Sequence, residues 1–347
     1  MITRSRQVAL ALTVVLAAGA ACQAHGHEPP PAGRPAPDTG AFTLVASGDV
    51  LPHGSVVERA RFDAGGTGLD FRPMLAGIAP VVSRADLALC HLETGDGAAF
   101  PPEMAEGLAA TGYDGCSTAS TASAPTLDAL DRAGVRHAGA ARTEEEARTV
   151  TVLRAGPADV AHLACSGALD ARRVLADARA AREAGADVVV VSLRWGTPWQ
   201  EEPDAGQRAL AGALTAARTA GRPDIDLVLG TRAHVPQPYE KVNGTWVLYG
   251  LGDQIAGETT NDRGAADPRA HQSTLGRFTF APPARPGGRW EVTRAEFVPQ
   301  LYDIDAGRVV NLNRALAQGA EVRAVRDRVR DVVLARGAAA DGLAMGE

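Results

Sequence analysis

Beyond residue 40 the chain alternates short apolar runs with stretches of helical spacing, a pattern that predicts an α/β fold. Residues 42–47 read as a strand breaking into Gly48-Asp49, 73–84 as a helix with proline in its first turn, and 86–90 as the next strand. Helices are predicted over 102–111 and 125–133, closed by Gly112 and Gly134, and a hairpin over 149–155 and 159–165. In 171–184 the stripe of Val174, Leu175, Ala178 and Ala181 marks an amphipathic helix. Residues 187–193 are apolar at nearly every position, as in a strand covered by helices on both faces. A helix over 206–219 leads to a second such strand, 226–229. From residue 245 the pattern predicts antiparallel strands at 245–249, 275–281, 290–298 and 308–312, with Asn243-Gly244 as a hairpin turn. One long helix over 314–335 finishes the chain, and no internal repeat is present. The combination is a two-sheet α/β sandwich with polar residues in loops at the strand ends.

The first forty residues follow other rules. Arg4 and Arg6 precede an uninterrupted apolar and small-residue run over 8–21, too short to cross a bilayer comfortably, which reads as an export signal over 1–21. It ends Ala17-Ala18-Gly19-Ala20-Ala21-Cys22, so Cys22 is the expected lipidation site of a lipoprotein, and ordinary cleavage and secretion is the alternative. Residues 22–40 are dense in Pro and Gly and read as a tether, leaving 41–347 as the folded domain. His25 and His27 lie in that tether, where linker histidines are the simpler reading than metal scavengers. The expected location is the cell envelope outside the cytoplasm, with the membrane reached through a lipid anchor.

Charge narrows the partners. The net charge is −6, and losing Arg4 and Arg6 takes it to −8, which argues against nucleic acid. Lys241 is the only lysine, so nearly all positive charge is arginine. Besides Cys22 there are Cys90, Cys116 and Cys165, and no pair has zinc-site spacing. Cys90 and Cys116 each end a short apolar run, which fits either a disulfide between neighbouring strands or two buried thiols.

Five predicted strand ends carry the residues that matter for chemistry. They are Ser47-Gly48-Asp49-Val50 with His53, His91-Leu92-Glu93, the Ser/Thr-rich stretch 117–123, Arg194-Trp195-Gly196, and Gly230-Thr231-Arg232-Ala233-His234. Gathering one or two polar groups from each of several strand ends is how an α/β scaffold builds a metal cluster. His137 and His162 sit in apolar contexts and read as core or surface histidines, and His271 lies in a polar loop over 261–272.

In this order and spacing the fragments resemble the capsule-synthesis CapA (poly-γ-glutamate capsule) family, related to calcineurin-like metallophosphoesterases. The resemblance runs over about 42–312. Gly48-Asp49-Val50 matches the family's opening Gly-Asp-Val, and His91-Leu92-Glu93 its Asn-Leu-Glu. Arg194-Trp195-Gly196, followed by Glu202, Pro203 and Gln207, stands where the family has His-Trp-Gly and a Glu, Pro and Gln. Gly230 to His234 matches Gly-x-His-x-His, then come Gln237-Pro238, and Tyr249-Gly250-Leu251-Gly252-Asp253 matches Tyr-x-Leu-Gly-Asn. The resemblance implies a four-layer α/β/β/α sandwich of the metallophosphoesterase type.

It also implies a ligand set from which this chain departs. The family's Asn-His pair after Cys116 is replaced by 117–123 running straight to Pro125, and two family histidines are Arg194 and Arg232. A guanidinium stays protonated and offers only donors, so it cannot ligate a cation. Asp49, Glu93 and His234 remain, with His53 and His91 as substitutes, enough for one divalent ion but not for the close pair a two-metal mechanism needs. The competing reading makes Asp49 and Glu93 salt-bridge partners of the two arginines, with no metal, and Arg194 and Arg232 anion-binding groups. The expected function is therefore handling of a polyanionic capsule polymer on an eroded phosphoesterase scaffold. An active metal-dependent phosphoester hydrolase is the alternative, and a solute-binding lipoprotein with two α/β lobes the third reading.

Overall fold

In the computed structural model, residues 40–93, 100–118, 122–257, 267–285 and 288–347 are described. Arg4, Arg6, Cys22, His25, His27, the export signal and the tether lie outside them, as do 119–121 of the Ser/Thr stretch and 261–266 of the polar loop.

The chain begins β1 (Phe42–Val50), α1 (Gly54–Asp63), α2 (Arg72–Leu75), α3 (Ala79–Val82), β2 (Leu87–Leu92), α4 (Pro102–Thr111), β3 (Gly115–Thr118), α5 (Ala124–Ala133) and β4 (Arg136–Ala138). It continues α6 (Glu144–Ala147), β5 (Thr151–Ala155), β6 (Ala158–Cys165), α7 (Ala171–Glu183), β7 (Val188–Arg194), α8 (Ala205–Ala216), β8 (Arg218–Thr219), β9 (Arg222–Pro223) and β10 (Leu227–Thr231). The last third holds β11 (Tyr239–Val242), β12 (Thr245–Leu248), β13 (Asp253–Ile255), β14 (Gln272–Ala281), β15 (Glu291–Asp303), β16 (Arg308–Asn311), α9 (Leu312–Ala317), α10 (Arg323–Leu334) and β17 (Leu343–Met345).

Two sheets carry the fold. The larger runs β16-β15-β14-β1-β2-β3-β4, with β13 also on β1 and β17 on β15; the smaller runs β11-β12-β10-β7-β6-β5. Strand alternation sorts side chains into three cores. Leu44 and Leu89 of the larger sheet meet Val188, Val190 and Leu227 of the smaller one in the central core. Val45 and Ala88 face outward onto Met74, Leu75, Met104 and Leu108, while Val189, Val191 and Val228 face outward onto Val174, Ala178 and Leu214. The result is the four-layer α/β/β/α sandwich. The unbroken apolar run of β7 thus answers to a helix layer on one face and the other sheet on its second face. Both sheets share one core, and no second lobe is present among the described residues.

Several elements differ from the sequence reading. The helix expected over 73–84 is two single turns, α2 and α3, because Pro80 brings no N–H and starts a new turn instead of continuing the old one. The terminal helix is split into α9 and α10 at Gly319, whose φ of +90° ends α9. The tail is not uniformly antiparallel: β12 runs parallel to β10 and β13 parallel to β1. Trp246 and Leu248 of β12 face the central core and Val247 the outer one, and two buried faces say nothing about a neighbour's direction. The β11–β12 hairpin does turn at Asn243-Gly244, both with positive φ. Cys90 and Cys116, opposite each other on parallel β2 and β3, form a disulfide, and Cys165 is a free thiol.

Candidate metal centre

The site lies where parallel strands of both sheets end, the crevice in which open α/β sheets place ligands. Asp49 comes from the end of β1, Glu93 follows β2, Arg194 ends β7, and Arg232 and His234 follow β10. Asp253 opens β13 and pairs in register with Asp49. That pairing depends on Gly48. The Asp49 N–H donates to Gly252 O at 2.9 Å, and a Cβ on residue 48 would sit 1.9 Å from the same oxygen. Only glycine lets the two backbones close this far.

Asp49, His234 and Asp253 each offer one ligand atom, all within 4.8 Å of one another. Both carboxylates are buried, and each has one oxygen, Asp49 Oδ1 and Asp253 Oδ2, with no hydrogen-bond partner. Asp49 Oδ2 accepts the Arg232 backbone N–H at 2.8 Å, and Asp253 Oδ1 lies 3.0 Å from His234 Nδ1. Unsatisfied buried carboxylate oxygens are expensive unless something cationic meets them. Two such oxygens beside an imidazole are the donor set of a divalent ion, so these residues fit one metal.

The electrostatics agree with that fit. Burial pushes Asp253 up to about 7, against the pull of His234. Burial also raises Asp49, opposed by the nearby His91 and His234. Burial alone would lower His234, but the Asp253 carboxylate, with Asp49 and Glu93 behind it, outweighs this and lifts it to about 9. Negative charge is in excess here.

Glu93 stands apart. Arg194 forks onto it, Nη2 at 2.5 Å from Oε1 and Nε at 3.2 Å from Oε2. Despite burial, the neighbouring His91 imidazole and the Arg194 fork hold its carboxyl well below the usual range. Arg232 behaves differently from the sequence expectation. Its backbone N–H reaches Asp49, while its guanidinium donates to Gly196 O at 3.3 Å. The salt-bridge reading thus describes Glu93 and not Asp49. His91 is buried on β2 with Nδ1 2.8 Å from Ser117 Oγ and Nε2 3.7 Å from Glu93. His53 accepts the Gly257 N–H on Nδ1 at 3.3 Å, and burial and the neighbouring His234 lower its pKa. Of the other histidines, His162 is buried against Ser192, and His137 lies 3.6 Å from both Asp131 and Glu146.

Sequence reasoning missed Asp253. The signal was there: it closes Tyr249 to Asp253, where an acid stands in the place of the motif's asparagine.

A four-layer α/β sandwich with carboxylates and an imidazole converging at strand ends defines a metallophosphoesterase-like protein. The chain belongs to the bacterial capsule synthesis protein PGA_cap family, whose model matches residues 43–258. It is 32% identical over 100 residues to the PGA biosynthesis protein CapA of Bacillus subtilis, which covers 28% of this chain and 25% of that protein. It is 36% identical over 85 residues to a "Probable polyglutamine synthesis accessory protein" of Mycobacterium tuberculosis, covering 24% of this chain and 20% of that one. The chain therefore matches a quarter or less of the length of these relatives.

Proposed function

We propose that this protein is an extracytoplasmic accessory factor that handles a polyanionic envelope polymer of the poly-γ-glutamate type, with a pocket built for one divalent ion. The observation that carries this reading is the Arg194–Glu93 fork beside the Asp49, His234, Asp253 cluster. A two-ion mechanism needs a second set of free ligands next to the first. Here Glu93 is engaged by a guanidinium that cannot lose its proton, and His91, held at Nδ1 by Ser117, lies outside the Asp49, His234, Asp253 cluster. The scaffold is that of a hydrolase with an eroded metal site.

When bound, a divalent ion would supply concentrated positive charge and Lewis acidity at Asp49, His234 and Asp253. Three carboxylates face the charge of Arg194, and a dication would cancel the remaining negative charge that otherwise repels an anionic polymer. The relatives' names support the polymer class, and the signal-like run over 1–21 with Cys22 supports the location and the lipid anchor. Metal analysis of the exported protein, a phosphodiester assay and poly-γ-glutamate binding test the reading together. At most one ion per chain, no metal-dependent hydrolysis, and polymer binding that weakens with salt are expected. Two ions with robust hydrolysis would establish the enzyme reading instead.

A further inference from the structure

We infer that Trp199 is a positioning residue for His234, clamping the imidazole in its ligating orientation. The inference rests on the one-ion reading of the site. The indole of Trp199 packs at a tilt against the His234 ring, centroids 5.4 Å apart and planes inclined by 30°. The two residues lie on facing turns that are clasped together. The Trp199 backbone N–H donates to Ala233 O at 2.8 Å, between Arg232 and His234. From the other side, Gln237 Nε2 donates to Gln200 O at 2.8 Å, and Gln237 is held in turn by Gln207 of α8.

Backbone strain gathers at this clasp. Trp199, Arg232 and His234 have φ of 69°, 81° and 58°, three of the five non-glycine residues with positive φ among those described. A bulky side chain adopts the left-handed region only where surrounding contacts over-determine it, and such residues cluster at ligand clamps. The contact of the indole with His234 is what the strained backbone at 199 serves to present. Asp253 fixes Nδ1 of His234, but one hydrogen bond leaves the ring free to swing about that contact. The indole removes the remaining freedom. Histidine ligands depend on such outer partners, whose loss weakens metal affinity by about 10- to 100-fold.

The test uses the whole folded chain with Trp199→Ala and Trp199→Phe. Co²⁺ affinity is measured by calorimetry, and the His234 ring nitrogens are followed by long-range ¹H–¹⁵N NMR in the metal-free protein. Trp199→Ala should weaken Co²⁺ binding at least about tenfold and broaden or shift the His234 resonances. Trp199→Phe keeps an aromatic face and should restore both to near wild type. Bound Co²⁺ should also quench emission from Trp199, and Trp199→Phe should lose that quenching while still binding. Unchanged affinity and an unchanged His234 spectrum in Trp199→Ala would overturn the inference. If wild type binds no Co²⁺ while Trp199→Ala still perturbs His234, the one-ion reading falls and the clamp stands.

Discussion

Asp49 and Asp253 lie side by side as register partners on parallel β1 and β13, both buried, each with an oxygen lacking a partner. Folding brings them together from 204 positions apart in sequence. Among the described residues, His234 is the one imidazole whose ligand atom falls within their cluster. A pair of buried carboxylates with so little compensation is a liability for a protein that binds nothing there.

Divalent metal should therefore stabilise the fold. At a hundredfold excess over Kd the gain is about 2.7 kcal/mol, which raises Tm by several degrees. Asp253→Asn removes one ligand charge and one like-charge contact. It should abolish most of the metal-induced shift while leaving the metal-free Tm equal or higher. Thermal scans with and without Mn²⁺ check this, and a metal-free Tm that drops sharply would contradict it.

Gly48→Ala probes the close approach that creates the pair. The new methyl would meet Gly252 O at 1.9 Å, a backbone atom that cannot swing aside. Relief requires β1 and β13 to part, at a cost of roughly 3 kcal/mol. Urea unfolding should show that loss, and metal binding should vanish with it, because Asp49 and Asp253 no longer meet.

The sandwich and the site were unequally legible in sequence. Strands such as β7 and β10 announced themselves because residues facing a helix layer and residues facing the second sheet are all aliphatic. Asp49 and His234 were legible as acid and imidazole after apolar strands. Asp253 was not, because its three-residue strand is too short to carry periodicity and owes its place to β1. Arg232 misled for another reason. The sequence shows its charge, whereas the structure uses its backbone N–H, freed by a left-handed turn, to hold Asp49. Arg194 was read by side chain and acts by side chain.

Arg194 therefore offers a cleaner test of charge replacement. Arg194→Ala strands Glu93 as a mostly buried, unpaired carboxylate and should cost roughly 2 kcal/mol near neutral pH, less than for a fully buried pair. Glu93 sits below its ordinary range, so its pairing stabilises the fold above that range and is lost as pH falls. The penalty of Arg194→Ala should shrink accordingly on acidification. Arg194→His, alone or with Arg232→His, should instead raise metal affinity by freeing Glu93. Phosphodiester hydrolysis should not follow, since the missing Asn-His pair is not restored. Denaturation curves at several pH values and metal titrations separate these outcomes.

His162, which ligates nothing in the metal cluster, adds a second acid-labile contribution to the fold. It is buried between the sheets with Nε2 2.9 Å from Ser192 Oγ, and burial, aided by the charge of His91, pushes its pKa down to about 4. The unfolded chain releases this proton near 6.5, so between pH 6.5 and 4 the unfolded state binds more protons than the native one. Stability contributed by the neutral ring is thus complete above pH 6.5 and drains away as pH falls toward 4. The full span is worth at most about 3 kcal/mol. His162→Gln keeps a polar group for Ser192 without a titrating ring. It should cost stability at pH 7 through imperfect packing, yet flatten the pH dependence across this window. Urea midpoints of both proteins from pH 7 to 4 check this, and parallel curves would refute it.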